Sequence, residues 1–175
     1  GAGPGGLTAA MILANRGHQV TVFEQKDTVG GRNAAIRLGP YTFDIGPTFL
    51  MMTFILREVF QAAGRDAAKY LDIRALDPMY TLTFKDKVLR PTTDHARMKE
   101  QIETLFPGNG AGLDKFRAVE AVRYDRMYPC LKKPYSTVAA MVSRPLLRAL
   151  PYLSLGRSLY DVLGDYFSSE DLRIS

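Results

Sequence analysis

At 175 residues and 46% hydrophobic content, the chain is long enough for one domain, or for a domain plus part of a second, and too apolar for a disordered polar segment. It contains no run of about 18 apolar residues, which excludes a transmembrane helix within it. The formal charge of +5 is scattered, with local enrichment at Lys132-Lys133 and across Arg144, Arg148 and Arg157; a solvated surface is the first reading, anionic lipid the second and nucleic acid the third.

The opening residues are GAGPGG, with Gly1, Gly3 and Gly6 in the G-x-G-x-x-G spacing that holds a dinucleotide pyrophosphate. In that motif the first glycine permits a tight turn, the second lets phosphate approach the backbone, and the third lets a helix pack closely. Leu7, Ala10, Met11 and Ala14 follow at i, i+3, i+4 and i+7, which predicts a helix over 6–16 with one buried stripe and Gly17 as its stop. Pro4 suits the first turn, and the free N–H groups there favour an anion. QVTVFE then alternates, predicting a strand that ends on Glu24. Turn, helix and strand are two-thirds of a right-handed βαβ unit, and its first strand is expected to be missing ahead of Gly1. Glu24 lies 18 residues beyond Gly6, close to the spacing of about 20 at which an acid accepts hydrogen bonds from an adenosine ribose. A carboxylate there repels a 2′-phosphate, so NADP is disfavoured. Next comes DTVGGRN, in which Gly30 and Gly31 let the chain pass close to a cofactor and Arg32 offers a planar cation to phosphate oxygens; a plain surface turn explains it as well.

Farther along, LREVFQAAG (56–64) predicts a helix with Leu56, Val59, Phe60 and Ala63 on one face and Gly64 as its cap. DIRALD, YTLTF and KVLR predict short strands broken at Asp77-Pro78 and Lys85-Asp86. Residues 95–106 are amphipathic, with Met98, Ile102, Leu105 and Phe106 inward. A loop is expected over 107–112 and a further helix from Leu113 to about Tyr128. In 138–167, apolar clusters alternate with Arg144, Arg148 and Arg157; Tyr152 and Tyr160 suit an interface, and Pro151 forbids one long helix. That stretch reads either as a core-facing helix pair or as a cap touching a bilayer surface. A single cysteine, Cys130, precludes an internal disulfide framework and fits a reducing compartment. His18 and His95 alone suggest no metal cluster.

Residues 1–33 resemble the N-terminal FAD signature of amine-oxidase-like flavoproteins. Phe43-Asp44-Ile45-Gly46-Pro47-Thr48 resembles the F-D-x-G-P-T stretch of bacterial phytoene and related carotenoid desaturases, and a weaker likeness runs to the end of the chain. The resemblance implies an α/β fold: a Rossmann-like FAD-binding domain, first strand missing, with part of an interleaved α+β substrate domain that faces a membrane. The expected division is 1–78 for the FAD-binding part, 79–137 for substrate-domain strands and helices, and 138–175 for a helical, membrane-facing part. It further implies FAD as cofactor, with Gly1, Gly3, Gly5, Gly6, Glu24, Gly30, Gly31 and Arg32 as contacts. Asp44, Gly46, Pro47 and Thr48 would lie near the isoalloxazine, although a turn-forming acid before Gly46 accounts for Asp44 nearly as well. The implied activity is desaturation of C–C bonds in a long apolar isoprenoid, with hydride passing to flavin and no metal. Implied partners are that substrate and a membrane surface contacted peripherally from the cytoplasm, with no nucleic acid. Rival expectations are an amine oxidase or a saturase of the same superfamily, and a non-catalytic nucleotide-binding fragment. Arg148 has Pro145 three positions before it instead of an acid, so no acid–base role carries over to it.

Overall fold

The computed structural model describes residues 1–47 and 49–174, the side chain of Ala139 excepted. It forms two compact units, Gly1–Arg74 and Ala75–Ser175.

The first unit opens with α1 (Pro4–Asn15). Gly17 takes φ +87°, and its N–H bonds the Ala14 carbonyl while the His18 N–H reaches Leu13. This is the left-handed stop that the glycine foretold. Two expectations for this region fail. No residue of α1 is fully buried, and Leu7 keeps 36% of its surface exposed. Residues 19–24 make no strand ladder, with Phe23 82% exposed. Both departures have one cause: among the described residues no sheet lies beneath α1, and an alternating segment becomes a strand only beside a neighbour that takes its hydrogen bonds.

A short 3-10 turn (Gly31–Asn33) leads into an unforeseen antiparallel hairpin, β1 (Ala35–Leu38) and β2 (Tyr41–Asp44), in which Ala35 faces Asp44 and Leu38 faces Tyr41. Then α2 (Thr53–Ala62) half-buries Leu56, Val59 and Phe60 and ends beside the buried Ala63; Gly64 (φ +67°) stops it, with the Arg65 N–H on the Phe60 carbonyl. A 3-10 turn over Ala67–Lys69, capped by the Asp66 carboxylate on the Ala68 N–H, completes the unit.

Residues 72–77, DIRALD, form no strand ladder. In the second unit, the expected strand pair reduces to the hairpin β3 (Leu82–Phe84) and β4 (Lys87–Leu89), turning at Lys85-Asp86. α3 (His95–Leu105) starts on Asp94, whose carboxylate takes the Arg97 N–H. α4 (Gly110–Leu131) begins three residues earlier than expected, because the Glu103 carboxylate reaches across to accept the Gly108 and Gly110 N–H groups at 2.7 and 2.8 Å. Leu89, Ile102, Phe106, Leu113, Phe167 and Leu172 form the core, with Phe84 edge-on to Phe106. Burying such side chains is the main driving force for this unit, at about 25 cal/mol per Å² of apolar surface.

From residue 138 onward the chain is a series of short helices rather than the helix pair that is one of its two expected readings. Pro145 and Pro151 divide it into α5 (Val138–Met141), α6 (Arg144–Ala149) and a 3-10 turn (Leu150–Tyr152), followed by α7 (Leu159–Leu163) and α8 (Glu170–Ile174). Ala149 is buried, whereas Val138, Met141, Val142, Leu147, Leu150, Leu155 and Leu159 are exposed. Among the described residues, no helix is long and apolar enough to cross a membrane.

Candidate nucleotide site

The glycine loop, the acid at position 24 and the second glycine pair converge on one backbone unit, Ala2, which is only 2% exposed. Its N–H donates to Glu24 Oε2 at 2.7 Å, and its carbonyl accepts the Gly30 N–H at 2.8 Å. Glu24 Oε1 accepts the Lys26 N–H at 3.0 Å. The Ala2 amide, and after it the Lys26 amide, hold the Glu24 carboxyl below its ordinary value, so it is an anion at neutral pH. Each carboxylate oxygen has a second lone-pair direction left for a further donor.

Two close approaches explain why side chains are absent here. A Cβ on Gly6 would overlap the Gly1 carbonyl oxygen, so α1 can start this near the opening turn only with glycine. Gly31 (φ +57°) passes Gly3 so closely that a Cβ on it would stand 3.0 Å from the Gly3 Cα. The result is a cradle of bare backbone at the N-terminus of α1, where no acid in the first turn and no side-chain cap competes for an incoming anion.

The hairpin adds a second wall. A Cβ on Gly46 would overlap the Arg32 carbonyl oxygen, which lays the chain just after β2 against the Gly31–Asn33 turn. Thus Gly1, Gly3, Gly6, Glu24, Gly30, Gly31, the backbone of Arg32 and Gly46 are brought together. Other candidates are not so drawn in. A Cβ on Gly5 would meet nothing within 4 Å, so no steric need for glycine exists there. Asp44 ends β2 opposite Ala35 and is exposed, two residues ahead of the bend at Gly46. Pro47 and the Arg32 side chain are also exposed, and Thr48 lies outside the described residues. Ala2 itself went unnoticed in the sequence; its only signal is the small residue between two motif glycines, a position too tight for anything larger.

These features fit a dinucleotide: bare backbone and helix N–H groups for phosphates, and an ionised carboxylate for ribose hydroxyls. Among the described residues, no group of three or more His, Cys, Asp or Glu is placed to hold a metal ion.

Comparison with known proteins gives the same placement. Residues 1–63 match the family model described as an NAD(P)-binding Rossmann-like domain. Over all 175 residues the chain is 37% identical to a 4,4'-diapophytoene desaturase (4,4'-diapolycopene-forming) of Methylomonas sp, covering 34% of that protein. Over 118 residues, 66% of the chain, it is 38% identical to a 4,4'-diapophytoene desaturase (4,4'-diaponeurosporene-forming) of Staphylococcus aureus strain Newman, covering 23% of it. The chain therefore spans about a third or less of the length of these curated relatives. Its glycine cradle and its similarity over all 175 residues together identify it as a member of the carotenoid desaturase family, carrying that family's Rossmann-like nucleotide-binding segment.

Proposed function

We propose that the chain holds the ADP half of FAD and belongs to an enzyme that desaturates C–C bonds of a long apolar isoprenoid such as 4,4'-diapophytoene. The observation that carries this reading is the joining of the glycine loop, Glu24 and Gly30 through the single residue Ala2. In the bound state the N-terminus of α1 and the bare backbone at Gly3 and Gly31 receive the pyrophosphate, and Glu24 accepts from the ribose hydroxyls. The same carboxylate repels a 2′-phosphate, which favours FAD over an NADP-type ligand. The exposed Arg32 side chain would have to swing onto the phosphates to offer them its two parallel donors. Residues 44–47, with Gly46 against the Arg32 carbonyl, extend this wall toward the flavin end. A bound flavin would supply the redox chemistry, as hydride acceptor for a saturated C–C unit of the substrate. The chain's own task is to fix the cofactor and exclude water; a hydrocarbon offers no polar handle, so its site is an apolar tunnel rather than a set of charges.

In this reading the Rossmann-like part is interleaved with a substrate domain begun by the second unit. The exposed Val138, Met141, Val142, Leu147 and Leu150, flanked by Arg144 and Arg148, form the side that meets a membrane surface holding the substrate. Product analysis with 4,4'-diapophytoene and phytoene, alongside the visible spectrum of the purified protein, tests the proposal. Bound flavin and a red-shifted polyene product are expected. A colourless protein, or flavin with oxidation of an amine instead of the polyene, would reject it.

A further inference from the structure

A second anion site is built into the first unit, away from the glycine cradle. Residues 57–73 line an open surface concavity of about 930 Å³ whose walls include Arg57, Arg65 and Lys69 together with Asp66 and Asp72. Both acids are already engaged: Asp66 caps the Ala68 N–H at 3.0 Å, and Asp72 takes Arg74 Nε and Nη2 at 3.0 and 2.7 Å. Nor are the cations needed to cap α2. Its terminal carbonyls are taken by backbone N–H groups, from Ala63 to Val59, Gly64 to Gln61 and Arg65 to Phe60, and by Asn15 Nδ2 on the Ala62 carbonyl. Among the described residues, Arg57, Arg65 and Lys69 are in no ion pair. Against these three cations the lining sets the Asp66 and Asp72 carboxylates, and Asp72 is already paired with Arg74, so the concavity keeps a net positive charge that favours an anion.

Arg65 and Tyr70 also line a neighbouring cleft of about 590 Å³ whose other walls are Asn15 and the apolar Met11, Ala14, Phe60 and Ala63. Tyr70 is held against Phe60 with ring centroids 5.6 Å apart. One side of Arg65 thus faces charge and the other faces hydrocarbon. Met11 and Asn15 lie in the second half of α1, a helix about 18 Å long whose opposite end carries the glycine cradle, so the phosphates of the dinucleotide do not occupy this place.

We propose that this cavity binds a phosphate group, with the adjoining cleft taking up an apolar chain attached to it. The phosphate comes either from a free phosphorylated small molecule or from an acidic lipid headgroup. The test titrates inorganic pyrophosphate, and separately vesicles of phosphatidylglycerol against phosphatidylcholine, into the purified chain and into its Arg57→Gln/Arg65→Gln/Lys69→Gln variant. All three side chains are exposed, so the variant keeps the fold, which circular dichroism verifies. Saturable binding that weakens at least tenfold in the variant supports the site; a response to pyrophosphate points to a free phosphate, and a response to phosphatidylglycerol alone points to a headgroup. Failure of both probes to bind, or binding that the triple variant leaves unchanged, overturns it. Pyrophosphate displaced by FAD and indifferent to the triple substitution sits in the glycine cradle and also overturns it. The site is independent of the flavin proposal: the triple variant is expected to keep its response to FAD, and Glu24→Ala to keep its response to pyrophosphate.

Discussion

Replacing Asn109 with alanine should cost the second unit about 3 kcal/mol. Asn109 is 3% exposed and joins segments 59 and 60 residues apart. Its Oδ1 accepts the Ser168 N–H at 2.8 Å, the Ser168 hydroxyl at 3.1 Å and the Ser169 N–H at 3.3 Å. Its Nδ2 donates to the Phe106 carbonyl at 3.1 Å and the Pro107 carbonyl at 3.3 Å. Three of the five bonds are short, and each contributes roughly 1 kcal/mol net; the two longer ones add little. Alanine also leaves the Phe106 carbonyl without its side-chain donor in a buried place. Equilibrium unfolding in urea, followed by far-UV circular dichroism, reads the loss as a midpoint lowered by roughly 1–3 M, given m-values of about 1–3 kcal/mol/M. Ser168→Ala removes the hydroxyl bond alone and should cost roughly 1 kcal/mol or less. If Asn109→Ala lowered stability by no more than Ser168→Ala does, the side chain would not be what binds residues 168–169 to the α3–α4 turn.

Two further outcomes follow from the geometry. Gly46→Ala should weaken FAD binding at least tenfold while leaving the far-UV spectrum intact, because its new methyl must push the Arg32 carbonyl and the Gly31–Asn33 turn away; fluorescence titration with FAD checks this, and an unchanged affinity would refute it. The second unit should lose stability in acid. Asp114 is held below its ordinary value by Lys99 (2.6 Å) and His95 (2.7 Å), Glu103 by the Gly108 and Gly110 amides, and Asp165 by Arg157. A carboxyl depressed in the folded state contributes stability that is present above its unfolded pKa of about 4 and is lost as pH falls through the lower folded value. Thermal melting across pH 2–7 (roughly the carboxylate range and above) should therefore show a falling midpoint below about pH 4, and a flat profile there would contradict these pairings.

What the sequence disclosed and what it hid divide along one physical line. Features set by local pattern were legible: the left-handed stops at Gly17 and Gly64, and the amphipathic run over 95–106 that buries Ile102 and Phe106. Features that need a distant partner were not. Val20, Val22 and Phe23 alternate like a strand, yet no neighbour among the described residues pairs with them. α4 starts at Gly110 because Glu103, seven residues away, supplies its cap. The β1–β2 hairpin escaped notice because both of its faces are exposed, so its pattern lacks a buried side. In the nucleotide site, the motif spacing marked Gly3, Gly6 and Glu24, whereas the wall formed by Gly46 against Arg32 and the knot at Ala2 exist only in three dimensions.

The central claim is that the opening glycines and Glu24 grip one FAD molecule. Equilibrium titration of the purified protein with FAD, comparing it with Glu24→Ala, addresses this most directly. Two charge-assisted bonds to ribose contribute roughly 1.5–3 kcal/mol each, so the variant should bind at least about a hundredfold more weakly. Equal affinity in the two proteins, or no saturable binding by either, would contradict the account.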